Sequence, residues 1–198
     1  MISHGCYAIG LTGGICTGKS ACEKYLKDFF TVLDADKIVH DLYANDLLLI
    51  ESIEDVFGSK VVEKGVVNRK MLGQIVFSNP QKLNELVSLV HPKVTQVIQQ
   101  KIQECKTKQE VTIFSIPLLF ENSWQNYLDE TIVVTCDPEI QIDRIQKRDN
   151  KTKEEALKVI QTQMPQQEKV DLANFVIKND KQLKDLHLKL KGLFLQIS

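Results

Sequence analysis

The chain has 198 residues, 43% of them hydrophobic and 26% charged, which suits one compact globular unit with a full core. Its 25 basic and 26 acidic side chains leave a net charge of −1, so there is no general case for a nucleic-acid partner beyond a local patch. Five cysteines, at 6, 16, 22, 105 and 136, form no C-x-x-C pair, no apolar run reaches membrane-spanning length, and Met-Ile-Ser-His-Gly-Cys lacks a signal-peptide pattern; a reduced, cytoplasmic protein with no membrane segment is expected.

The first predicted strand, about 7–11, is short and apolar (Tyr7-Ala8-Ile9-Gly10-Leu11). It leads into Gly13-Gly14-Ile15-Cys16-Thr17-Gly18-Lys19-Ser20, which fits G-x-x-x-x-G-K-[ST]. At ordinary glycine and lysine frequencies, about one chain in a hundred of this length carries that string by chance. Context separates signal from accident: Ala21-Cys22-Glu23-Lys24-Tyr25-Leu26 reads as a helix, completing strand, loop, helix. Four of the nine glycines fall between positions 10 and 18, where tight turns and close ligand approach need them. Backbone N–H groups of the loop and the positive end of the helix would cradle a triphosphate. Lys19 would reach the β- and γ-phosphates and the Ser20 hydroxyl would sit on Mg²⁺. A plain glycine-rich turn is the bland alternative.

A second strand, about 31–34, ends in Asp34-Ala35-Asp36. In a doubly wound sheet such a strand end faces the ligand. Asp36 is the candidate base for an attacking hydroxyl, and Asp34 the candidate for the metal's water environment; capping of the next helix is the alternative. Residues 37–110 are too long for a crossover and read as a helical, substrate-binding insertion. Leu83, Leu86, Val87 and Val90 recur at helical spacing, as do Val94, Val97 and Ile98, and Pro92 is expected to open the second of these helices.

Further strands are expected at about 111–116, 131–136 and 174–178, alternating with helices as in a parallel α/β sheet. Their carboxyl ends carry the run Pro117–Glu121, Asp137 and Asn179. Arg144 and Arg148 share a helix face and have the chemistry for spread phosphate charge, although a lone pair of this kind is usually a solvated face. Thr152-Lys153-Glu154-Glu155 reads as a capping box. The polar stretch 144–169, with Lys147, Lys151, Lys153, Lys158 and Lys169, reads as a solvated, mobile element. Leu183, Leu186, Leu190 and Leu193 mark a final amphipathic helix on the sheet.

Together these residues resemble the dephospho-coenzyme A kinase family, over nearly the whole chain. The resemblance is carried by Ile9 to Ser20, Asp34-Ala35-Asp36, Asn68-Arg69 to Val76-Phe77, His91-Pro92, Pro117-Leu118-Leu119-Phe120-Glu121, Arg144, Arg148-Asp149, Gln163, Pro165, Ile177 and Asn179. It implies an α/β P-loop kinase fold: a five-stranded parallel-sheet core (about 1–36, 111–143 and 170–198), a helical coenzyme A insertion (37–110) and a lid (144–169). The implied reaction is transfer from ATP, with Mg²⁺, to the ribose 3′-hydroxyl of dephospho-CoA. Asp36 would be the base. Arg69, His91, Pro117, Leu118, Leu119, Phe120 and Glu121 would line the acceptor side. Arg148 and Arg144 would act from the lid, and Asn179 would lie near adenine. The nucleotide side would be Gly13 through Ser20 with Ala21.

The chain departs from the family pattern at Cys16 and Thr17 (commonly Gly and Ser), at Ala21 (usually Thr or Ser) and at Asn174 (usually Asp). Beside helix-end N–H groups and Lys19, the Cys16 thiol has either a lowered pKa or the role of a tolerated small side chain. Two other functions share the loop: a different small-molecule kinase, and a nucleotide switch without catalysis. Lys178-Asn179-Asp180 does not match the Asn-Lys-x-Asp of guanine-reading switches. Nothing in the sequence sets an oligomeric state.

Overall fold

The computed structural model describes residues 5 and 7–195, and Cys6 lies outside them. In chain order the elements are β1 (Ala8–Gly13), α1 (Lys19–Leu26), β2 (Thr31–Asp34), α2 (Ala35–Asn45), α3 (Leu47–Phe57), β3 (Val62–Glu63), β4 (Val66–Val67), α4 (Arg69–Val76) and α5 (Pro80–Lys108). They continue as β5 (Thr112–Ser115), β6 (Glu130–Thr135), α6 (Pro138–Asp149), α7 (Lys153–Gln161), α8 (Gln166–Leu172), β7 (Phe175–Lys178) and α9 (Leu183–Phe194). Five strands form one sheet in the order β2-β5-β1-β6-β7, with β1 parallel to β5 and β6, and β6 parallel to β7.

β1 is buried at all six positions, as a central strand covered on both faces must be. Ile9 and Leu11 point to one face, where Ile113, Ile132, Val134 and Ile177 join them beneath Cys22 and Leu26 of α1 and Leu186, Leu190 and Phe194 of α9. Burying each such side chain contributes about 1.5–3 kcal/mol. Gly10 faces the other side, where an added Cβ would lie 2.6 Å from both Leu119 and Leu128. No helix among the described residues is long and apolar enough to cross a membrane.

The chain divides into two compact units, one running up to Leu33 and from Ile102 onward, the other Asp34–Lys101. Residues 102–110, expected in the insertion, group with the first unit because Ile102 and Cys105 are buried and Lys106 pairs with Asp129 at 2.6 Å. Within the second unit, Asp34, Asp46 and Asn68 cap α2, α3 and α4. A two-residue turn at Lys64 and Gly65, both at positive φ (53° and 79°), closes the β3–β4 hairpin in the primed geometry that matches strand twist.

Pro92 does not open a new helix. It lies inside the single 29-residue helix α5, where it has no N–H for the Ser88 carbonyl; packing of Leu86, Val90, Val94 and Ile98, all buried, keeps one continuous stripe across it. The solvated reading of 144–169 also fails at its end, for Lys169 is 1% exposed and ion-paired to Glu121 at 2.7 Å. The capping box is present, with both Thr152 and Glu155 bonds made.

Candidate active site

The carboxyl edge of the sheet gathers the nucleotide-side residues of the first unit. Gly13 ends β1 with no room for a side chain: an added Cβ would meet the Val134 carbonyl at 2.6 Å and Thr17 Oγ1 at 2.7 Å. Gly18 caps α1 at φ 111° without a side-chain hydrogen bond, so nothing of its own covers the first N–H groups of the helix. Ser20 is exposed in that first turn, whereas Ala21 is half-buried against the sheet core.

Long-range hydrogen bonds hold the loop between these ends. Asn179 donates from Nδ2 to the Thr17 carbonyl at 2.8 Å, and its own N–H bonds Thr135 at the end of β6 at 2.7 Å. Arg144 donates to the carbonyls of Cys16 (3.4 Å), Thr17 (3.3 Å) and Asn179 (2.9 Å). Because a peptide N–H opposes its C=O, fixing the Thr17 carbonyl toward Asn179 and Arg144 turns the Gly18 N–H away from them. Gln141 donates to the Ile15 carbonyl at 2.7 Å, and the Ile15 N–H donates to Gln163 at 2.9 Å. The Ile15 N–H, expected to face phosphate, is therefore spent on a side chain. Thr17, buried, turns its hydroxyl to the Gly14 carbonyl at 2.9 Å.

Lys19, at the foot of the loop, donates to Glu23 Oε1 and to Ser115 Oγ, each at 2.7 Å. Burial opposes the charge of Glu23, but bonds from Lys19 and Ser115 outweigh it and hold the carboxyl below its usual value. Sequence reasoning left out Glu23, Ser115 and Gln141; the Lys19–Glu23 spacing of four was the one available signal.

Cys16 stands at φ 57°, the left-handed region where glycine costs nothing. Its thiol pKa is raised, not lowered: burial outweighs the pull of Arg148 and Arg144. Together with Ile15 it packs against Ile142, Ile145 and Ala156 of α6 and α7. Arg148 is exposed and grips Asp149 through Nε at 2.7 Å and Nη2 at 2.8 Å. Asn174 accepts from both N and Oγ1 of Thr131 at 2.9 Å, which ties the start of β7 to β6.

In the run after β5, Leu119 (0%) and Phe120 (4%) are core side chains, so they shape the loop from below instead of lining an acceptor surface. Leu118 is exposed and Pro117 half-buried, and the Pro117 carbonyl accepts from Thr12 at 3.1 Å. Glu121 accepts from the Met164 N–H at 3.3 Å besides pairing with Lys169.

In the second unit, Asp34 Oδ1 accepts from the Asp36 N–H at 3.0 Å. Asp34 is thus a helix cap, and Asp36 is exposed in the first turn of α2. Arg69 contacts His40 Nδ1 at 3.1 Å; burial pushes the nearby Tyr43 hydroxyl pKa up, and the Arg69 charge offsets only part of that rise. His91 is half-buried on α5, with Thr95 Oγ1 at 3.5 Å. The described residues hold no group of three or more His, Cys, Asp or Glu suited to a metal.

Known proteins resemble the chain over almost its entire length. The family profile for dephospho-CoA kinase matches residues 7–185. A dephospho-CoA kinase of Fusobacterium nucleatum is 42% identical over 185 residues, covering 92% of this chain and 94% of its own. One from Lactobacillus johnsonii is 35% identical over 194 residues, covering 96% and 98%. The solved dephospho-CoA kinase of Campylobacter jejuni superposes with a TM-score of 0.78 at 30% identity, covering 96% of each chain.

Proposed function

The chain belongs to the dephospho-CoA kinase family, and from that premise we propose which residues carry the reaction. The activity is ATP-dependent phosphorylation of dephospho-CoA, a step of coenzyme A synthesis. The loop from Gly13 to Ser20 holds the triphosphate, and Lys19 meets the β- and γ-phosphates. Residues 37–110 form the acceptor domain and 144–169 the lid.

Asp36 accepts the proton of the ribose 3′-hydroxyl. As that O–H bond breaks, the oxygen bonds the γ-phosphorus, the bond from γ-phosphorus to the β,γ-bridging oxygen breaks, and ADP leaves. The observation that carries this role is that Asp34 spends its carboxylate on the helix end, leaving Asp36 exposed two residues further on. A hydroxyl is a poor nucleophile, so positioning and charge stabilisation dominate. Arg148 supplies charge from the lid, while Arg144, already bonded to three carbonyls, acts by bracing the loop. Ser20, and Asp34 through water, would hold the Mg²⁺ that accompanies ATP, which would offset phosphate charge. Arg69, His91, Leu118 and Glu121 serve the acceptor side.

Asp36→Asn keeps size and polarity but removes the base. The expected outcome is a kcat lowered by about 10²–10⁴-fold with the ATP dissociation constant unchanged. Full transfer to dephospho-CoA in that variant would overturn the assignment.

A further inference from the structure

Lys19, Glu23 and Ser115 close a ring of three hydrogen bonds at the foot of the loop. Lys19 donates to both partners at 2.7 Å, and the Ser115 hydroxyl donates to the same Glu23 oxygen. Glu23 is 8% exposed and Ser115 is fully buried. Ser115 is the last residue of β5 and lies opposite Leu11 of β1, so the ring joins the helix leaving the loop to the strand paired beside the one that enters it.

Helix support is a poor explanation for this pair. Lysine ahead of glutamate at i,i+4 is the less favourable order against the helix dipole. A buried ion pair, moreover, roughly cancels its Coulomb gain against desolvation. What the ring does accomplish is positional. A lysine ammonium rides on a flexible four-carbon stem and has three donors; two are fixed here, leaving one for an incoming phosphate.

We infer that Glu23 and Ser115 are positioning residues for phosphoryl transfer, a seat that fixes the Lys19 ammonium and offsets its charge. Triphosphate is then held less tightly than by an unpaired lysine, but in the geometry that transfers. This rests on the reading of Lys19 as the phosphate-binding lysine.

The test compares Glu23→Gln, Glu23→Asp, Ser115→Ala and Lys19→Met by ATP titration, steady-state kinetics and thermal melting. Loss of the Glu23 charge should tighten ATP binding about 3–10-fold. An ammonium displaced by about 1 Å should cost about 10–100-fold in kcat. Glu23→Asp restores the charge with a shorter reach, so its ATP affinity returns to that of the unmodified protein while kcat stays low. Ser115→Ala lowers kcat without tightening ATP.

The inference fails if Glu23→Gln leaves both constants unchanged, or tightens ATP with kcat intact, which would make the carboxylate a mere competitor. It fails equally if ATP affinity and Tm fall together, as for a purely structural pair, or if excess Mg²⁺ restores kcat, which would make Glu23 a metal ligand. Normal ATP binding and turnover in Lys19→Met would instead reject the reading of the loop itself.

Discussion

The phosphate loop and the Asp34–Asp36 pair both follow a strand end, yet different forces hold them. Cys16, Thr17 and Ile15 are bonded by Arg144, Asn179, Gln141 and Gln163, partners 126 to 162 residues away in the chain. Asp34 and Asp36 are joined across two residues. The loop is therefore a tertiary object, preformed only while the sheet edge around it is intact, whereas the acid pair is a local turn that its own sequence makes. Nucleotide binding should be vulnerable to distant substitutions in a way that the acid pair is not.

The most severe break is Gly18→Ala. An added Cβ would stand 2.0 Å from Asn179 Nδ2, at a backbone φ of 111° that side chains avoid. Asn179 must then release the Thr17 carbonyl. We expect ATP affinity to fall at least about 100-fold, with about 2–3 kcal/mol lost from stability, measured by nucleotide titration and urea unfolding. Unchanged ATP affinity would show that the Asn179 brace is dispensable.

Asp129 sharpens the comparison from the opposite end of β1. Its Oδ2 accepts from the N–H groups of Tyr7 at 3.0 Å and Ala8 at 2.9 Å, and Oδ1 pairs with Lys106. Burial pushes its pKa up, but these bonds outweigh burial and hold the carboxyl below its usual value. A depressed carboxylate contributes stability above its unfolded pKa and loses it as pH falls through the folded value. Asp129→Asn should cost about 2 kcal/mol at pH 7, less as pH drops below the usual carboxylate range, and should leave ATP affinity alone. Urea midpoints of both proteins at neutral and acid pH read this directly; a gap that widens in acid reverses the sign and the argument.

The same division explains what could be read from sequence. The sheet strands were legible because short apolar runs between helical patterns have few alternatives, and the loop because its string and setting coincide. The Thr152 capping box is local and was legible for that reason. Glu23, Ser115 and Gln141 were not, because their roles depend on which strand ends adjoin, information that spacing along the chain does not contain. The β3–β4 hairpin escaped notice because its turn is Lys64-Gly65, without the Asn-Gly or Asp-Gly signal that such turns favour. Pro92 misled because a proline usually marks a helix start, while here the apolar stripe on both sides carries α5 through it. Leu119 and Phe120 show the limit of carrying roles over by motif: a run can match a family for packing reasons as well as for binding.

Cys16 gives the smallest and most discriminating prediction about the loop. Its neighbours Arg144 and Arg148 favour a thiolate, and the bare helix end should too. Burial against α6 and α7 nevertheless prevails and raises the pKa. At pH 7.5 the side chain should be mostly thiol, and alkylation at Cys16, followed by mass spectrometry, should run slower than that of free cysteine. Cys16→Gly should then change stability by less than about 1 kcal/mol, since relief of positive φ at 57° is offset by the larger backbone entropy of glycine and by lost packing. Alkylation faster than free cysteine would mean that the helix end and the arginines govern the thiol, and that the loop is more open to solvent than its bonds imply.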